Sequence, residues 1–195
     1  KRQQMSEVYF ENDQLRIIDF RPQHLPEKYV AWLNDPLAVK YSEQRHFSHT
    51  LASCQNYYDE QSESDDLFLA LEARNNYSDK YRHIGNLGIS IDAMNEYADI
   101  SILIGEKDFW GRGIGLLAIK NLSNYLFKKK RINLISCGTA SLNLGMIRLM
   151  EKLRMNPCVT FPKRFLVNGH WADLVQGFLL NPEDGKNSKK IKQQQ

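Results

Sequence analysis

The sequence predicts an α/β (α+β) domain in which helices cover a mixed sheet. Three strand-like runs follow one another over 66–73, 83–92 and 97–105, as in an antiparallel meander. Over 114–126 the period changes, because apolar residues recur at three- and four-residue steps, as on one face of a helix. Strand and helix patterns then alternate over 132–153. This order is typical of a sheet layered with helices.

Further elements are expected at both ends of this pattern. Helices are predicted over 25–36 and 49–61, ahead of the meander. The segment 165–180 is predicted to form a hairpin with Asn168 and Gly169 at its turn, since this dipeptide favours the backbone of tight hairpins. The elements thus continue almost to the end of the chain.

Length and composition fit one globular domain, with 195 residues, 42% hydrophobic and 25% charged. We expect the domain to span 5–181 and a polar, basic, disordered tail to occupy 182–195. The net charge of +3 is too small to predict nucleic-acid or membrane partners. A secretion signal is not evident, and the three cysteines are widely spaced without metal-ligand spacing. We therefore expect a cytoplasmic protein without a metal.

A glycine cluster, FWGRGIG at 109–115, directly precedes the helical pattern. A helix N-terminus offers unpaired N–H groups and partial positive charge, glycines let a phosphate approach the backbone, and Arg112 adds a cation. The spacing excludes a dinucleotide fingerprint, because Leu116 occupies the third glycine position. It also lacks the lysine and hydroxyl of a P-loop. A phosphate loop and a glycine-rich turn selected for packing remain as alternatives.

This cluster resembles the acetyl-CoA-binding motif Q/R-x-x-G-x-G/A of the GNAT acetyltransferase superfamily, present here as WGRGIG from Trp110 to Gly115. Trp110 departs from the usual first residue. An aromatic–tryptophan pair before G-[KR]-G is typical of the branch similar to RimJ and RimL, the ribosomal-protein acetyltransferases. A second block, ASLNLGMIRLMEKLRM, resembles the superfamily segment N-x-x-S/A-x-x-L-Y-E-K-L-G-F, beginning at Asn143. The resemblance covers about 14–180.

The resemblance implies a mostly antiparallel central sheet splayed between two strands, with acetyl-CoA bound as co-substrate in the gap. It places the pantetheine arm along the backbone of Leu103 and Ile104. Asn143 matches an asparagine that contacts the pantetheine or orients a water. The residues implied to bind the pyrophosphate region are Trp110, Gly111, Arg112, Gly113, Ile114 and Gly115.

The reaction implied is direct attack of a primary amine on acetyl-CoA in a ternary complex. An alkyl ammonium with a pKa near 10 is about one part in a thousand neutral at pH 7, so its proton must be removed. Asp99 is the candidate base, acting through water, and an exposed charge at a strand end is the alternative. The positions where relatives often carry tyrosine and serine are Met150 and Met146, which supply no proton.

Acceptor recognition is expected in 41–49, where the resemblance places the acceptor wall, although a polar surface loop is the alternative. The candidate substrate residues are Tyr41, Arg45, His46 and His49, since Arg binds phosphate or carboxylate and His carries protons.

The favoured acceptor is a small aminated metabolite such as a nucleotide-linked amino-sugar, which the sequence resembles less closely than it does the superfamily. A peptide N-terminus, as for RimJ or RimL, and a non-catalytic CoA-binding protein are the alternatives. A homodimer is one expected assembly.

Overall fold

The computed structural model of the protein describes residues 7–75 and 80–183, of which 156–159 are described by their backbone alone. The helices of this part of the chain are α1 (Glu27–Leu33), α2 (Leu51–Ser62), α3 (Ile114–Lys129) and α4 (Leu144–Lys152). The strands are β1 (Val8–Glu11), β2 (Leu15–Asp19), β3 (Leu67–Ala73), β4 (Arg82–Asp92), β5 (Tyr97–Ile104), β6 (Leu134–Ala140), β7 (Asn156–Val167) and β8 (His170–Leu180). Short 3₁₀ turns occur at Pro22–His24, Glu43–His46 and Lys107–Phe109.

The strands form one sheet in the order β1-β2-β3-β4-β5-β6-β8-β7. Neighbouring strands are antiparallel except for β5 and β6, which run parallel. That parallel pairing joins only Tyr97–Asp99 to Leu134–Ser136, although both strands continue for several residues. The sheet is therefore open between the second halves of β5 and β6, which confirms the expected splayed, mostly antiparallel architecture.

Each face of the sheet carries its own apolar layer. On one face, buried residues of α3 such as Ile119 and Leu122 pack against Ile84 and Ile100 of the sheet. On the other face, α1 and α2 pack against β2 and β3 through a cluster that includes Trp32. The gap between β5 and β6 thus lies between two helical layers.

Two parts of the fold differ from the sequence-based expectation. The sequence did not predict β1, and β7 begins at Asn156 rather than at the expected 165. Prolines and irregular register interrupt the early part of β7, where pairing with β8 shifts between Phe161 and Phe165, and this hides the alternation that marks a strand. The predicted domain start at residue 5 lies outside the described residues, and so do residues 184–195 of the tail predicted over 182–195.

Residues 7–75 and 80–183 contain neither a membrane-spanning helix nor a metal-binding cluster. None of the helices there is long and apolar enough to cross a membrane. No group of three or more His, Cys, Asp or Glu side chains in those ranges is arranged to hold a metal ion.

A bulge in β4 determines which of its side chains face α1 and α2. Leu71 of β3 pairs with Gly85 and the next residue, Glu72, pairs with His83, so Ile84 is an extra residue on β4. Without it, His83 and Asn86 would point to opposite faces. His83 instead packs against α1, and Asn86 lines a cleft on the same face.

The same segment brings β4 unusually close to β5. A Cβ added at Gly85 would lie only 2.1 Å from the carbonyl oxygen of Leu103. Glycine is therefore required at this position by the approach of the neighbouring backbone.

We expect Gly85→Ala to lower the free energy of unfolding by about 1–3 kcal/mol, because β5 must shift to admit the methyl group. Gly88→Ala is the matched control, since a Cβ there meets only the rotatable Oγ of Ser101, at 2.8 Å. Urea denaturation measures both variants, and equal losses of stability would contradict this account.

Candidate active site

The outer edge of β5 carries backbone groups that no strand pairs with. The Gly105 N–H donates to the Ile84 carbonyl of β4 at 2.9 Å. Because successive residues of a strand turn their N–H and C=O groups to opposite sides, Leu103 also faces β4, whereas Ile102 and Ile104 face the gap. The pairing with β6 has ended by this point. The backbone groups presented to a ligand in the gap are thus the N–H and C=O of Ile102 and the N–H of Ile104, since the Ile104 carbonyl accepts from Trp110.

The three glycines of the loop serve two different purposes. Gly111 and Gly113 have φ values of 71° and 79°, and a Cβ on either would meet nothing within 4 Å. At Gly115 a Cβ would lie 3.1 Å from Cδ1 of Leu149 on α4. The first two glycines are therefore selected by backbone conformation, and the third by helix packing.

The loop ends at the N-terminus of α3, which has the properties of an anion site. Gly113 is the N-cap and has no side chain to satisfy the first N–H groups of this helix. Arg112 is exposed, and its guanidinium lies 5.5 Å from the centre of the Phe109 ring. The free N–H groups, the helix dipole and Arg112 together favour a phosphate at this end of α3.

Trp110 fixes the loop to the end of β5. Its indole Nε1 donates to the Ile104 carbonyl at 2.7 Å. This bond gives a structural reason for tryptophan at a position where the family motif has glutamine or arginine.

The residues just after β5 tie the loop to α1. The Glu106 carboxylate accepts a hydrogen bond from Trp32 Nε1 at 3.0 Å and forms an ion pair with Lys28 Nζ, also at 3.0 Å. Lys107 Nζ lies 2.6 Å from Asp35 Oδ2, and this hydrogen bond holds the pKa of Asp35 below its usual range. Lys107 is therefore committed to Asp35, and the entry to the loop is bonded to α1 and to the residues just beyond it.

A polar network lies where β5 and β6 part. Ser136 Oγ donates to Asp99 Oδ1, and Tyr97 Oη lies 2.7 Å from the same Ser136 oxygen. Gln176 Nε2 also donates to Ser136 Oγ, at 3.3 Å. Burial and the neighbouring Asp99 raise the pKa of Cys137 to about 12, so this thiol stays protonated. Asp99 is the carboxylate of this network.

Asn143 joins β6 to α4. Its Oδ1 caps α4 by accepting from the Met146 N–H at 3.3 Å, and its Nδ2 donates to Thr139 Oγ1 at 2.9 Å. These two bonds hold Asn143 between β6 and the start of α4.

Met150, at the position where relatives often carry tyrosine, is buried in the core, at 5% exposure.

A cleft of about 360 Å³ lies on the α1–α2 face of β4 and β5. We call it the central cleft. It is lined by Tyr29, Leu33, Ser42, Gln44, Phe47, Ser48, His49, Ser53, Cys54, Tyr57, Phe68, Asn86, Gly88, Ser101, Ile102 and Leu103.

A second cleft, of about 400 Å³, adjoins the first and shares Leu33, Phe47 and Ser48 with it. We call it the basic cleft. It is lined by Leu33, Asn34, Pro36, Val39, Lys40, Arg45, His46, Phe47, Ser48, Leu166 and Asn168.

The four predicted acceptor residues separate into three places. His49 lines the central cleft, whereas Arg45 and His46 line the basic cleft. Tyr41 lines neither cleft and packs against a small apolar cluster around Val167. Asn34 holds the segment in place by bonding both the N–H and the C=O of His49, at 2.9 and 2.8 Å.

The Arg45 guanidinium is partly committed to the protein. Its Nη1 donates to the Ser42 carbonyl at 2.7 Å and to Glu43 Oε1 at 3.0 Å, while Nη2 donates to the Leu166 carbonyl at 3.4 Å. Its Nε is buried without a partner. Arg45 therefore contributes its positive charge beside the basic cleft, while its Nη donors are turned to the protein.

We expect Gly113→Glu to weaken CoA binding by at least about tenfold, because the carboxylate would occupy and repel the anion site. Gly169→Glu is the matched control, because Gly169 has the same backbone, with φ of 80°, and the same open surroundings. Both variants should lose a similar amount of stability, about 1–2 kcal/mol. Calorimetric titration with CoA distinguishes them, and equal affinities would refute a phosphate site at this loop.

Comparisons with known proteins agree with this geometry. The family model described as an acetyltransferase (GNAT) domain matches residues 14–156. The probable N-acetyltransferase YjcK of Bacillus subtilis is 31% identical over 79 residues, which cover 40% of this chain and 44% of that protein. The match thus spans less than half the length of that curated relative.

Solved structures share the fold over most of their length. Spermidine N-acetyltransferase from Vibrio cholerae, in complex with CoA and spermine, has a TM-score of 0.77 at 17% identity, covering 87% of this chain and 97% of that one. RimL, a ribosomal L7/L12 alpha-N-protein acetyltransferase in complex with CoA, also has a TM-score of 0.77, at 13% identity, covering 91% and 100%. With the family match extending over residues 14–156, the chain belongs to the acetyltransferase (GNAT) family.

Proposed function

We propose that the protein transfers the acetyl group of acetyl-CoA to the primary amine of a small acceptor that also carries an anionic group, such as a phosphorylated or nucleotide-linked amino-sugar. The observation that carries this proposal is the arrangement of three adjoining compartments. The open edge of β5 borders the central cleft, and the central cleft adjoins the basic cleft.

Acetyl-CoA fits the gap because each of its parts meets a complementary group. The amides of its pantetheine arm match the N–H and C=O of Ile102 and the N–H of Ile104, whose carbonyl stays bonded to Trp110. Its pyrophosphate matches the uncapped N-terminus of α3. Bound there, it supplies an acetyl thioester, and a backbone N–H at the open edge stabilises negative charge developing on the carbonyl oxygen.

The transfer needs an amine that has lost its proton. The amine nitrogen forms a bond to the thioester carbonyl carbon, and the carbon–sulfur bond breaks. The CoA thiolate departs readily because the pKa of its thiol is low. Asp99 is our proposed proton acceptor. It lies two residues from Ser101 of the central cleft, about 6.8 Å along the strand, so the proton reaches it through water. Ser136 orients its carboxylate.

The charges around the clefts favour an anionic acceptor over a polycation. Within the described residues, none of those lining either cleft is Asp or Glu, whereas Lys40 and Arg45 of the basic cleft carry permanent positive charge. These cations would repel a polyamine and attract a phosphate.

Thiol release from acetyl-CoA in the presence of an amine panel tests this proposal. The panel is glucosamine 6-phosphate, glucosamine, spermidine and a peptide with a free N-terminal serine. We expect kcat/KM to be highest for glucosamine 6-phosphate. A preference for the peptide would support the RimL-like alternative, and binding of CoA without transfer to any amine would support a non-catalytic CoA-binding protein.

We expect Lys40→Gln to raise KM for glucosamine 6-phosphate about tenfold, since a charge-assisted bond to phosphate is lost. KM for unphosphorylated glucosamine should not change. Lys128→Gln is the matched control, because Lys128 is exposed at the end of α3 and lines neither cleft. An equal change for both sugars, or none for either, would refute the phosphate subsite.

A further inference from the structure

The hydroxyl of Tyr29 opens into the central cleft from an otherwise buried side chain. Tyr29 is 3% exposed and lines this cleft from α1, one helical turn before Leu33, which lines it too. The rings of Phe20 and Trp32 pack against the Tyr29 ring, with centres 5.3 and 6.3 Å from its own. Its oxygen, by contrast, is not enclosed. The accessible part of this side chain is therefore its hydroxyl end.

That hydroxyl has no partner within the described part of the chain, where no group forms a hydrogen bond with Tyr29 Oη. Other hydroxyls of the central cleft are engaged by the backbone. Ser53 Oγ donates to the Thr50 carbonyl at 3.0 Å, and Ser101 Oγ donates to the Gly88 carbonyl at 3.2 Å. A buried tyrosine hydroxyl usually has a hydrogen-bond partner. A partner for Tyr29 must come from the central cleft itself.

Electrostatics indicates where the hydroxyl lies and keeps it protonated. Burial raises the pKa of Tyr29 above its usual range, and the neighbouring Cys54 and Tyr57 of α2 raise it further. Both neighbours line the central cleft, and burial raises their own pKa values as well. The three groups are thus neutral at pH 7, and Tyr29 presents a neutral hydroxyl to the cleft.

Tyr29 and the open edge of β5 border the same cleft from different elements. The cleft has a volume of about 360 Å³, and Ile102 of the open edge lines it together with Tyr29. A small acceptor whose amine reaches β5 therefore fills much of the space between β5 and α1. Binding sites of this kind fix the orientation of a ligand through a few polar groups. Tyr29 is such a group on the α1 side.

We infer that Tyr29 Oη hydrogen-bonds to a hydroxyl that the acceptor carries on a carbon next to its amine. The inference rests on the proposed function and narrows the acceptor to amino alcohols, the class that includes amino-sugars. A phenol suits a hydroxyl partner, because each can both donate and accept. An amine without that hydroxyl would leave Tyr29 without its bond, and sites built to bond a hydroxyl reject analogues that lack it.

Tyr29→Phe tests this contact, because it removes the hydroxyl and keeps the ring. The readout is kcat/KM for trans-2-aminocyclohexanol divided by kcat/KM for cyclohexylamine, which lacks the hydroxyl. The wild-type protein should prefer the amino alcohol, and Tyr29→Phe should reduce this preference about tenfold, because one hydrogen bond is lost. Since the ratio compares two amines on the same variant, a change in the folded fraction does not affect it.

Tyr58→Phe is the matched control and should keep the wild-type preference, because Tyr58 packs on the same apolar cluster as Tyr29 and lines neither cleft. For glucosamine 6-phosphate, Tyr29→Phe should raise KM about tenfold and leave the calorimetric affinity for CoA unchanged. An unchanged preference, or an unchanged KM, in Tyr29→Phe would overturn this inference alone. Failure of the wild-type protein to acetylate any panel amine would instead overturn the proposed function and, with it, this assignment.

Discussion

The separation of β5 from β6 after Asp99 and Ser136 is the constraint on which the rest of the site depends. Parallel pairing stops at that residue pair, and the edge of β5 beyond it carries backbone groups without a strand partner. An unpaired edge inside a sheet leaves backbone donors and acceptors that either water or a ligand can bind. The hydrogen bond from Ser136 Oγ to Asp99 Oδ1 joins β5 to β6 at the point where the gap begins. On the β6 side of the gap, Asn143 bonds to Thr139 and caps α4.

The two binding regions are mechanically joined across β5. Glu106 and Lys107, at the entry to the glycine loop, bond to α1 and to Asp35 just beyond it. The same helix contributes Tyr29 and Leu33 to the central cleft. Helix α1 therefore contacts both the entry to the glycine loop and the central cleft. Under the proposed function, this connection would hold the thioester and the amine at a defined distance from each other, as direct transfer requires.

The features that depend on local sequence pattern could be predicted from the sequence. The meander, the amphipathic α3 and the Asn168–Gly169 turn followed from period and turn chemistry, and the glycine loop indicated its anion. Features set by register were not accessible. Only the pairing of β4 and β5 shows that Ile102 shares the open edge with Ile104. Asn86 faces the cleft because of one extra residue opposite β3, which no pattern within β4 reveals.

The central claim is that the free edge of β5 is completed by CoA. Amide hydrogen exchange resolved by residue tests it most directly, comparing the protein alone with the protein saturated with CoA. Exchange at Ile102 and Ile104 should slow markedly on adding CoA. Exchange at Leu103, which already faces β4, should stay nearly unchanged. If calorimetry shows that CoA is bound while Ile102 and Ile104 exchange as fast as before, the gap is not the binding site and the account is contradicted.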